Sequence, residues 1–459
     1  MERGACVSHR RELRDPIHGF IYRSSLEQDI MDTTVFQRLR RIKQLALASL
    51  VYPGAVHTRF EHSLGVMHLA GKIAQRFLSD EESRLVRLAG LLHDLGHGPF
   101  SHVSEELLDK FYDREKIQVP EGTQPHELVT WEIIRCNTEL KKLLSDRDRE
   151  AIIGLLSGTR GDRLLKDIVS GPLDADKQDY LLRDSYYCGV RYGIYDLDRL
   201  LETLEVLDDG DERVLAISED GVHALEQFVL AKYYMNTQVY RHKVRLITDA
   251  MLVRAVELGI VEDGLDFLAQ LYRFDGTEGF LTEWLEWDDQ RLVVTVCSKE
   301  TPDSYCKMLF KNLLARRLHK RIFSQNIKDF ADPLVKFHLS ENFSEVAKTI
   351  ENLVGKQIGL DPKLVIANKY TIRSVREQSR NSVGPIMVVK PGTKVTFEEE
   401  STLFRSINEA EKDEFIEVYA PVKFEDEKDK RIKLREYAEV ISAIICSIAR
   451  EKGGEVLCQ

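Results

Sequence analysis

The sequence lacks the features that would assign it to a membrane or secreted class. No stretch of its 459 residues approaches the roughly 18 consecutive apolar residues that a membrane-spanning helix needs. Its first residues, Met1 to Gly4, have no apolar core of the kind that a secretory signal carries. The seven cysteines are scattered, odd in number and without a Cys-x-x-Cys pair, which argues against a disulfide framework or a zinc ribbon. These absences favour a location in the reducing cytoplasm.

An excess of positive charge is also missing. The formal net charge is −11, so broad binding to nucleic acid is not expected. No internal repeat or low-complexity tract is found, which argues against a repeat architecture. What is present is a hydrophobic content of 43%, as in ordinary globular proteins. The length allows two or three domains, or one large helical core with an appended lobe.

Helical periodicity dominates the first two thirds of the chain. Apolar spacing predicts helices over about residues 33–50, 61–78, 81–95, 126–136, 148–157, 175–186 and 222–258. Two short apolar runs around the turn at 208–211 predict a β-hairpin over 204–217. Past residue 330, strands are predicted near 365–366, 386–389, 394–397 and 416–419, then a helix over 433–450 and a polar tail. The fold class is therefore mainly α, with a catalytic core over residues 1–330 and a C-terminal α+β lobe over 331–459, for which we expect a role in oligomerisation or regulation.

Two histidines and two aspartates of the core have the composition of a metal site. They are His62, the consecutive pair His93 and Asp94, and Asp176. Two imidazoles and two carboxylates suit a borderline or hard divalent ion, and an octahedral ion would keep positions open for water and substrate. A lone His-Asp pair at a helix end more often only interacts with the terminal carbonyl groups, so the interpretation depends on the neighbouring residues. The set predicts a single-metal hydrolase of phosphate esters or anhydrides.

Further polar residues cluster near these four in the sequence. His97 and His102 follow His93 across a glycine-proline turn, which can bring several imidazoles round one cavity as proton donors or phosphate ligands. Tyr180 and Asp184 lie four and eight residues after Asp176, on one face of the predicted helix. Either group alone would be read as an ordinary solvent-exposed face. Beside the upstream motif, both groups favour a nucleotide substrate.

A polar stripe on the long predicted helix points the same way. Lys232, Asn236, Tyr240 and Lys243 follow each other at helical spacing. Cationic and aromatic side chains suit a triphosphate and a sugar or base, because lysine and arginine bind phosphate directly. A plain exposed helix face is the alternative.

Several longer stretches complete this pattern. They are Asp15–Gly19 (DPIHG), Phe36–Leu45 (FQRLRRIKQL), Arg59–Val66 (RFEHSLGV), His93–His102 (HDLGHGPFSH), Pro125–Glu127 (PHE), Asp174–Asp184 and Tyr240–Val244 (YRHKV). With these motifs the chain resembles the HD-domain deoxynucleoside triphosphate triphosphohydrolases, in the branch that includes enzymes with a sterile-alpha-motif domain. The resemblance covers about residues 15–255, with the HD motif region at about 55–190, and no sterile-alpha-motif domain is recognised. It implies an HD-domain helical core.

The resemblance also implies a role for each matching residue. One divalent ion (Mn, Mg, Fe, Ni, Co or Zn) would be bound by His62, His93, Asp94 and Asp176, and a second magnesium ion with the nucleotide phosphates is an option. The catalytic histidines would be His97, His102 and His126, with His102 as the proton donor to the leaving triphosphate. The substrate would contact Gln44, Leu45, Arg59, Lys177, Tyr180, Asp184, Lys232, Asn236, Tyr240 and Arg241. Among these, Gln44, Tyr180 and Asp184 would surround the deoxyribose, and Tyr240 and Arg241 would approach the base.

Nucleotide activator sites between subunits are a further property of the family. The residues that match such a site are Asp32, Gln37 and Arg40 for the guanine, and Arg316 and Lys320 for the phosphates. Ser218, Asp220 and Ala224 stand where the activated branch carries basic or amide residues, which speaks against activation by a guanine nucleotide. A homo-oligomer, either a dimer or a tetramer, is still expected.

The predicted reaction is metal-dependent hydrolysis of a deoxynucleoside triphosphate to deoxynucleoside and tripolyphosphate. Two alternatives stay open at this point. One is an HD phosphohydrolase or phosphodiesterase acting on a nucleoside monophosphate, a cyclic nucleotide or an alarmone. The other is a non-catalytic HD protein that binds nucleotides or nucleic acid. The preferred nucleotide, the native metal, the need for an activator, the subunit number and the biological role do not follow from the sequence.

Overall fold

Helices account for most of the chain that the structure describes. This structure is a computed structural model, and it describes residues 11–120, 122–159, 161–210, 212–372, 384–406 and 413–456. The chain divides into two compact units, the first of residues 1–235, 266–295 and 375–408, the second of residues 236–265, 296–374 and 409–459. These units divide the chain at other positions than the boundary predicted near residue 330. An oligomerisation or regulatory role for the C-terminal residues therefore stays a prediction.

The helices and strands have the following bounds. In chain order the helices are α1 (Ser25–Met31), α2 (Thr34–Gln37), α3 (Arg59–Phe77), α4 (Asp80–Leu92), α5 (His102–Phe111), α6 (Pro125–Cys136), α7 (Thr138–Leu143), α8 (Asp146–Leu156), α9 (Arg163–Ser170), α10 (Ala175–Cys188) and α11 (Leu197–Glu202). They continue with α12 (Val222–Tyr234), α13 (Lys243–Val261), α14 (Asp266–Tyr272), α15 (Glu278–Leu285), α16 (Asp289–Cys297), α17 (Tyr305–Leu314), α18 (Pro333–Glu341), α19 (Phe343–Ile358), α20 (Phe397–Glu400), α21 (Thr402–Ser406) and α22 (Glu427–Val456). The strands are β1 (Arg11–Asp15), β2 (Gly19–Arg23), β3 (Leu204–Asp209), β4 (Glu212–Ser218), β5 (Lys320–Asn326), β6 (Ile366–Ile372), β7 (Met387–Lys390), β8 (Thr393–Thr396) and β9 (Asp413–Ala420).

The predicted fold class is confirmed. The helices predicted near 61–78, 81–95, 126–136, 148–157 and 175–186 correspond to α3, α4, α6, α8 and α10, with small shifts at their ends. The hairpin predicted over 204–217 is formed by β3 and β4, although position 211 of its turn lies outside the described residues. The last helix, α22, begins earlier than predicted and continues to Val456.

Two predicted helices are wrong in their extent. Over residues 33–50 the chain forms only α2 and short 3₁₀ turns, because Lys43 pairs with Thr58 and Gln44 N donates to the His57 carbonyl at 3.1 Å. Ile42, Leu45 and Ala46 are buried there without being helical. The long helix predicted over 222–258 is divided into α12, a π-helix over Met235–Tyr240, and α13. The side chain of His242 accepts a hydrogen bond from Val244 N and so begins a new helix.

Small sheets occur in both units, two in the first and one in the second among the described residues. In the first unit, β1 and β2 form a hairpin, and a four-stranded sheet has the order β3-β4-β7-β8 with a parallel pair between β4 and β7. In the second unit, β9 lies between β5 and β6 in an antiparallel sheet. That sheet shares an apolar core with α18, α19 and α22. The α+β character predicted for the C-terminal region is thus confirmed.

Three helices of the first unit position the predicted metal ligands. Helix α3 packs against both α4 and α10. Gly65 on α3 allows a close approach, because a Cβ at this position would overlap the carboxylate of Asp179 on α10. None of the described helices combines the length and apolar character that crossing a membrane requires. The cytoplasmic location inferred from the sequence stays a prediction.

Candidate metal centre and active site

The four predicted metal ligands come from three neighbouring helices. His62 lies in the first turn of α3, and Asp176 lies in the first turn of α10. His93 is the C-cap residue of α4, and Asp94 follows it directly. Because α3 packs against the other two helices, the four side chains reach one place although up to 114 positions separate them in the sequence (176 − 62 = 114).

The ligand atoms of these residues converge closely. Nε2 of His62 lies 2.9 Å from Oδ1 of Asp176 and 3.8 Å from Oδ2 of Asp94. Nε2 of His93 lies 3.1 Å from Oδ1 of Asp94 and 3.8 Å from Oδ1 of Asp176. His62, His93 and Asp94 together have the geometry of a group that could hold a metal ion. The side chain of Asp176 is 32% exposed, so one side of the group faces solvent.

Both imidazoles are held by their other ring nitrogen. Nδ1 of His62 hydrogen-bonds to Oδ2 of Asp179 at 2.8 Å, and Nδ1 of His93 hydrogen-bonds to the Gly90 carbonyl at 2.8 Å. A carboxylate or carbonyl on Nδ1 fixes the tautomer that leaves the Nε2 lone pair for a metal. Among the described residues, Nε2 of His93 is buried and has no hydrogen-bond partner. A buried nitrogen with no hydrogen-bond partner is what we expect of an atom whose lone pair binds a metal ion.

The charge of the group also fits a cation. Burial lowers the pKa of His62, but Asp176 and Asp179 outweigh it and raise that pKa to about 10. The carboxylates therefore attract positive charge into a buried place, and a divalent ion would supply it instead of a proton. Burial lowers the pKa of His93, which keeps this imidazole neutral as a ligand must be. The residues present fit a divalent metal ion, whose identity they leave open.

A buried arginine adjoins the metal group. Arg59, the first residue of α3, donates from Nη1 to Oδ2 of Asp94 at 2.8 Å and from Nε to Oγ of Ser101 at 3.0 Å. Burial raises the pKa of Asp94, but Arg59 and the histidines around it hold that pKa well below its usual range. Nη2 of Arg59 is buried without a hydrogen-bond partner in the described part of the chain. The guanidinium thus has donor capacity left for an anion next to the metal group.

The three predicted catalytic histidines surround one glutamate. Nδ1 of His102 hydrogen-bonds to Oε1 of Glu105 at 2.8 Å, Nδ1 of His97 lies 3.1 Å from the same oxygen, and Nδ1 of His126 lies 4.0 Å from Oε2. The rings of His97 and His126 stack at 4.5 Å, and Nε2 of His97 lies 3.1 Å from Oδ1 of Asp94. The structure therefore joins these histidines to the metal group through Asp94.

The charges of these histidines differ. Burial and Arg59 lower the pKa of His97, but Asp94 and Glu105 outweigh them and raise it. Burial lowers the pKa of His126 to about 3, so this ring is neutral. The side chain of His102 is 55% exposed, the most open of the three. His97, Glu105 and His126 also form a group that could hold a metal ion.

The predicted deoxyribose residues lie beside a second buried histidine. His57 bonds through Nε2 to Oδ1 of Asp184 at 2.7 Å, and its carbonyl accepts the Gln44 N–H. The structure thus connects Gln44 and Asp184, while Leu45 is buried in the core. Oε1 of Gln44 is buried without a hydrogen-bond partner among the residues described. Tyr180 is one turn before Asp184 on α10, and burial raises its pKa well above the usual value.

Lys177 is engaged with its own helix terminus. Its ammonium donates to the Gly171 carbonyl at 3.1 Å and pairs with Asp174, the N-cap residue of α10. Lys232 lies on α12 in the first unit. Asn236 and Tyr240 lie in the π-helix and belong, like Arg241, to the second unit. There the guanidinium of Arg241 lies 5.7 Å from the centre of the Tyr370 ring, and that of Arg245 lies 5.3 Å from the Tyr240 ring.

The residues predicted for an activator site belong to both units. In the first unit, Gln37 donates to the Met31 carbonyl and accepts from Nε of Arg40, and Asp32 caps α1. In the second unit, Arg316 follows α17 with a left-handed φ of 53°, and Lys320 begins β5.

Several residues that hold the site have no role in the sequence prediction. Asp179, His18 and Arg183 support His62, Glu105 holds the histidines, and Asp289 bonds to two backbone segments. The pairs Asp179–Arg183 and His102–Glu105 are signals that helical spacing could have revealed. Asp289 could not have been found in this way, because its partners lie more than 180 positions away (289 − 100 = 189).

Comparisons with known proteins agree with this arrangement. The HD domain family matches residues 59–180, and the HD associated region matches residues 195–438. An uncharacterised protein of Methanocaldococcus jannaschii is 32% identical over 384 residues, covering 82% of this chain and 74% of that protein. The Dictyostelium discoideum protein named deoxynucleoside triphosphate triphosphohydrolase SAMHD1 homolog is 32% identical over 322 residues, covering 67% of this chain and 59% of that protein.

A solved structure extends the similarity to the fold. The crystal structure of a phosphohydrolase from Bacteroides thetaiotaomicron has a TM-score of 0.69 and 28% sequence identity. The match covers 90% of this chain and 99% of the phosphohydrolase chain. The similarity therefore extends over most of the length of both chains.

Proposed function

This chain belongs to the HD-domain phosphohydrolases, the family that includes the deoxynucleoside triphosphate triphosphohydrolases, and from that membership we propose that it hydrolyses deoxynucleoside triphosphates to deoxynucleoside and tripolyphosphate. The observation that carries the proposal is the convergence of His62, His93, Asp94 and Asp176 beside the guanidinium of Arg59. Metal ligands next to a buried cation suit a phosphate group that must be bound and polarised together.

The four converging residues would hold one divalent ion. Bound there, the ion would act as a Lewis acid toward a phosphate oxygen and lower the pKa of a water molecule. Asp179 and the Gly90 carbonyl keep Nε2 of each imidazole directed to that ion. The open side at Asp176 is where substrate would enter.

The side chains next to the metal group would bind the triphosphate and move the proton. Arg59 has an unpaired buried donor among the described residues, and the raised pKa of His97 favours its protonated form, so both would offset charge on the phosphates. His102 is the proposed general acid, because Glu105 holds its Nδ1 and leaves Nε2 to protonate the 5′-oxygen of the deoxynucleoside when the bond from that oxygen to the α-phosphorus breaks. His126, with its pKa lowered to about 3, would donate or accept a hydrogen bond as a neutral ring.

Recognition of deoxyribose is the finer part of the proposal. His57 holds Asp184, and the buried Oε1 of Gln44 has no partner within the described chain, so both can accept hydrogen bonds from a sugar hydroxyl. Tyr180 would pack against the ring and leave no room for a 2′-hydroxyl. The resemblance implies Tyr240 and Arg241 for the base, Lys177 and Lys232 for the phosphates, and Asn236 as a further substrate contact.

An oligomer and an activator site extend the proposal. The resemblance implies Asp32, Gln37 and Arg40 for the base of an activating nucleotide and Arg316 and Lys320 for its phosphates. Ser218, Asp220 and Ala224 argue against a guanine nucleotide as that activator. The support is the resemblance together with the mutual hydrogen bond of Gln37 and Arg40. Light scattering with and without GTP or a deoxynucleotide would test both points, because an activator at a subunit interface should change the oligomer.

The experiment that tests the reaction is a substrate panel. Purified protein with Mn²⁺ or Mg²⁺ is incubated with each deoxynucleoside triphosphate, alone and with GTP or a second deoxynucleotide, and the products are identified by mass. The expected products are deoxynucleoside and tripolyphosphate, and the double variant His93→Ala with Asp94→Ala should form neither. Release of orthophosphate or pyrophosphate, or activity on monophosphates, cyclic nucleotides or alarmones only, would contradict the proposal. Activity retained by the double variant would place the chemistry elsewhere.

A further inference from the structure

We propose that Asp289 is a positioning residue for the phosphate side of the site: its carboxylate holds together the two backbone segments that fix Arg59 beside Asp94. Asp289 touches neither the metal group nor any histidine of the site in the described contacts. The inference rests on the proposed function only in that a phosphate chain is what Arg59 would bind.

One carboxylate joins two distant segments. Asp289 is the first residue of α16 and is buried. Its Oδ1 accepts the Phe100 N–H at 2.7 Å, and its Oδ2 accepts the Lys43 N–H at 3.1 Å. Both oxygens are thus used, one for each segment.

Both segments meet at Arg59. Ser101, next to Phe100, accepts a hydrogen bond from Nε of Arg59 at 3.0 Å and donates from Oγ to the Lys43 carbonyl at 2.7 Å. On the other side, Arg59 N donates to the Ile42 carbonyl at 2.9 Å. The guanidinium is therefore held between the segments that Asp289 connects, with Nη1 on Asp94.

The segment at Phe100 needs such an anchor. Phe100 and Ser101 have φ values of 61° and 51°, in the left-handed region that side chains with a Cβ rarely adopt. The unfavourable conformation persists only if other contacts hold it in place. The hydrogen bond from Phe100 N to Asp289 is such a contact, and without it a buried N–H would lose its partner.

The charge around Asp289 allows it to be ionised at neutral pH. Burial raises its pKa to about 6, against the two backbone donors and the positive charge of Lys43. The neighbouring Asp288 adds negative charge. Arg38 and Arg41, the first and last residues of a 3₁₀ turn, add positive charge. Above that pKa both oxygens can accept a hydrogen bond.

Asparagine at this position would keep the size and lose one acceptor. Its amide oxygen can serve one backbone N–H, and its NH₂ group would face the other. Asp288→Asn is the matched control, because the described hydrogen bonds of Asp288 are to the Arg41 side chain and to Arg291 N, and neither the Lys43 N–H nor the Phe100 N–H is among its partners. Ser101→Ala is a second, smaller change on the same path, and it keeps the test available if the Asp289 variant does not fold.

The test measures two ligands separately by calorimetry, tripolyphosphate on metal-free protein and Mn²⁺ alone. For Asp289→Asn and Ser101→Ala we expect tripolyphosphate affinity to fall about tenfold, as loss of one hydrogen bond to a charged group would do. Mn²⁺ affinity should stay within about twofold of the wild type, and Asp288→Asn should change neither value.

Unchanged tripolyphosphate affinity in both path variants would overturn the inference. So would an equal loss of Mn²⁺ affinity, because that indicates collapse of the whole site, or an equal effect of Asp288→Asn. A wild type that binds Mn²⁺ but no tripolyphosphate would defeat the proposed function, and this inference with it.

Discussion

Asp179→Asn offers the sharpest test of how the metal group is held. Asp179 is fully buried and accepts four hydrogen bonds, from His62 Nδ1 at 2.8 Å, His18 Nε2 at 2.6 Å, and Arg183 Nε and Nη2 at 2.8 and 2.9 Å. An asparagine can accept at one atom only, and its NH₂ group would face donors at the other. At least two of these bonds are then lost together with the charge that balances Arg183.

The magnitude of the effect follows from these contacts. Removing one partner of a buried ion pair costs about 3–5 kcal/mol, and Arg183 keeps its bond to Asp15, so we expect about 3 kcal/mol of lost unfolding free energy. Such a loss leaves a typical domain folded. Changing the residue that orients a metal-ligating histidine costs about 10- to 100-fold in metal affinity, and the same range is expected for Mn²⁺ here.

The assay combines Mn²⁺ calorimetry with urea unfolding. Asp167→Asn is the control, since Asp167 is also buried in the first unit but, among the described residues, its carboxylate accepts only the Leu215 N–H, at 3.1 Å. The control should leave Mn²⁺ affinity unchanged. Mn²⁺ affinity of Asp179→Asn within about twofold of the wild type would refute the reasoning, and so would an equal loss in Asp167→Asn.

Three further variants test other parts of the site. Glu105→Gln should lower kcat about 100-fold with Mn²⁺ affinity unchanged. The wild-type carboxylate both holds His102 and raises the pKa of His97, and the variant loses both effects. An unaltered kcat would contradict the assignment of the general acid. Arg38→Lys should cost about 1–3 kcal/mol in urea unfolding, since a lysine cannot replace both the bond to the His97 carbonyl and the bond to the Trp287 carbonyl. The pKa of Asp289 is raised by burial to about 6 from 3.8, so the folded state binds the extra proton and its stability should fall as pH rises between about 4 and 6. Urea unfolding at both pH values should show this slope in the wild type and not in Asp289→Asn, and equal slopes would contradict the shift.

Much of the local pattern could be predicted from the sequence, because it depends on short spacings. Helix α10 is an example: its N-cap Asp174 and the spacing of Asp176, Tyr180 and Asp184 are visible in the letters alone. The HD pair at the end of α4 is predictable for the same reason, since the apolar run before it and the glycine after it mark the helix end.

The wrong predictions have a common physical cause. Helical spacing of apolar residues records burial on one side, and tertiary contacts can satisfy the same burial in another backbone conformation. In the segment after α2, Ile42 is extended, Ala46 has a φ of 48°, and both are buried. The π-helix at Met235–Tyr240 escaped prediction because one inserted residue hardly disturbs the apolar pattern.

The supports of the site could not be predicted, because they are long-range. Asp289 contacts Lys43 and Phe100, which lie 246 and 189 positions away. Nothing near Asp289 in the sequence distinguishes it from Asp288, whose hydrogen bonds in the described part of the chain are to the Arg41 side chain and to Arg291 N. The fold decides which of the two adjacent aspartates joins the segments at Lys43 and Phe100.

The contacts of Asp94 give a physical reason for its position directly after His93. Its Oδ1 lies 3.1 Å from Nε2 of both His93 and His97, and its Oδ2 bonds to Arg59. One carboxylate thus belongs to the metal group and also contacts Arg59, the residue proposed to bind phosphate. At a helix end, two successive side chains can reach one ion and still leave the second carboxylate oxygen for a neighbour. Asp179 supports the metal side through His62, and Asp289 supports the phosphate side through Arg59. Since the two supports share no partner, their effects can be separated, and Asp94 is the residue at which metal and phosphate binding must be coupled.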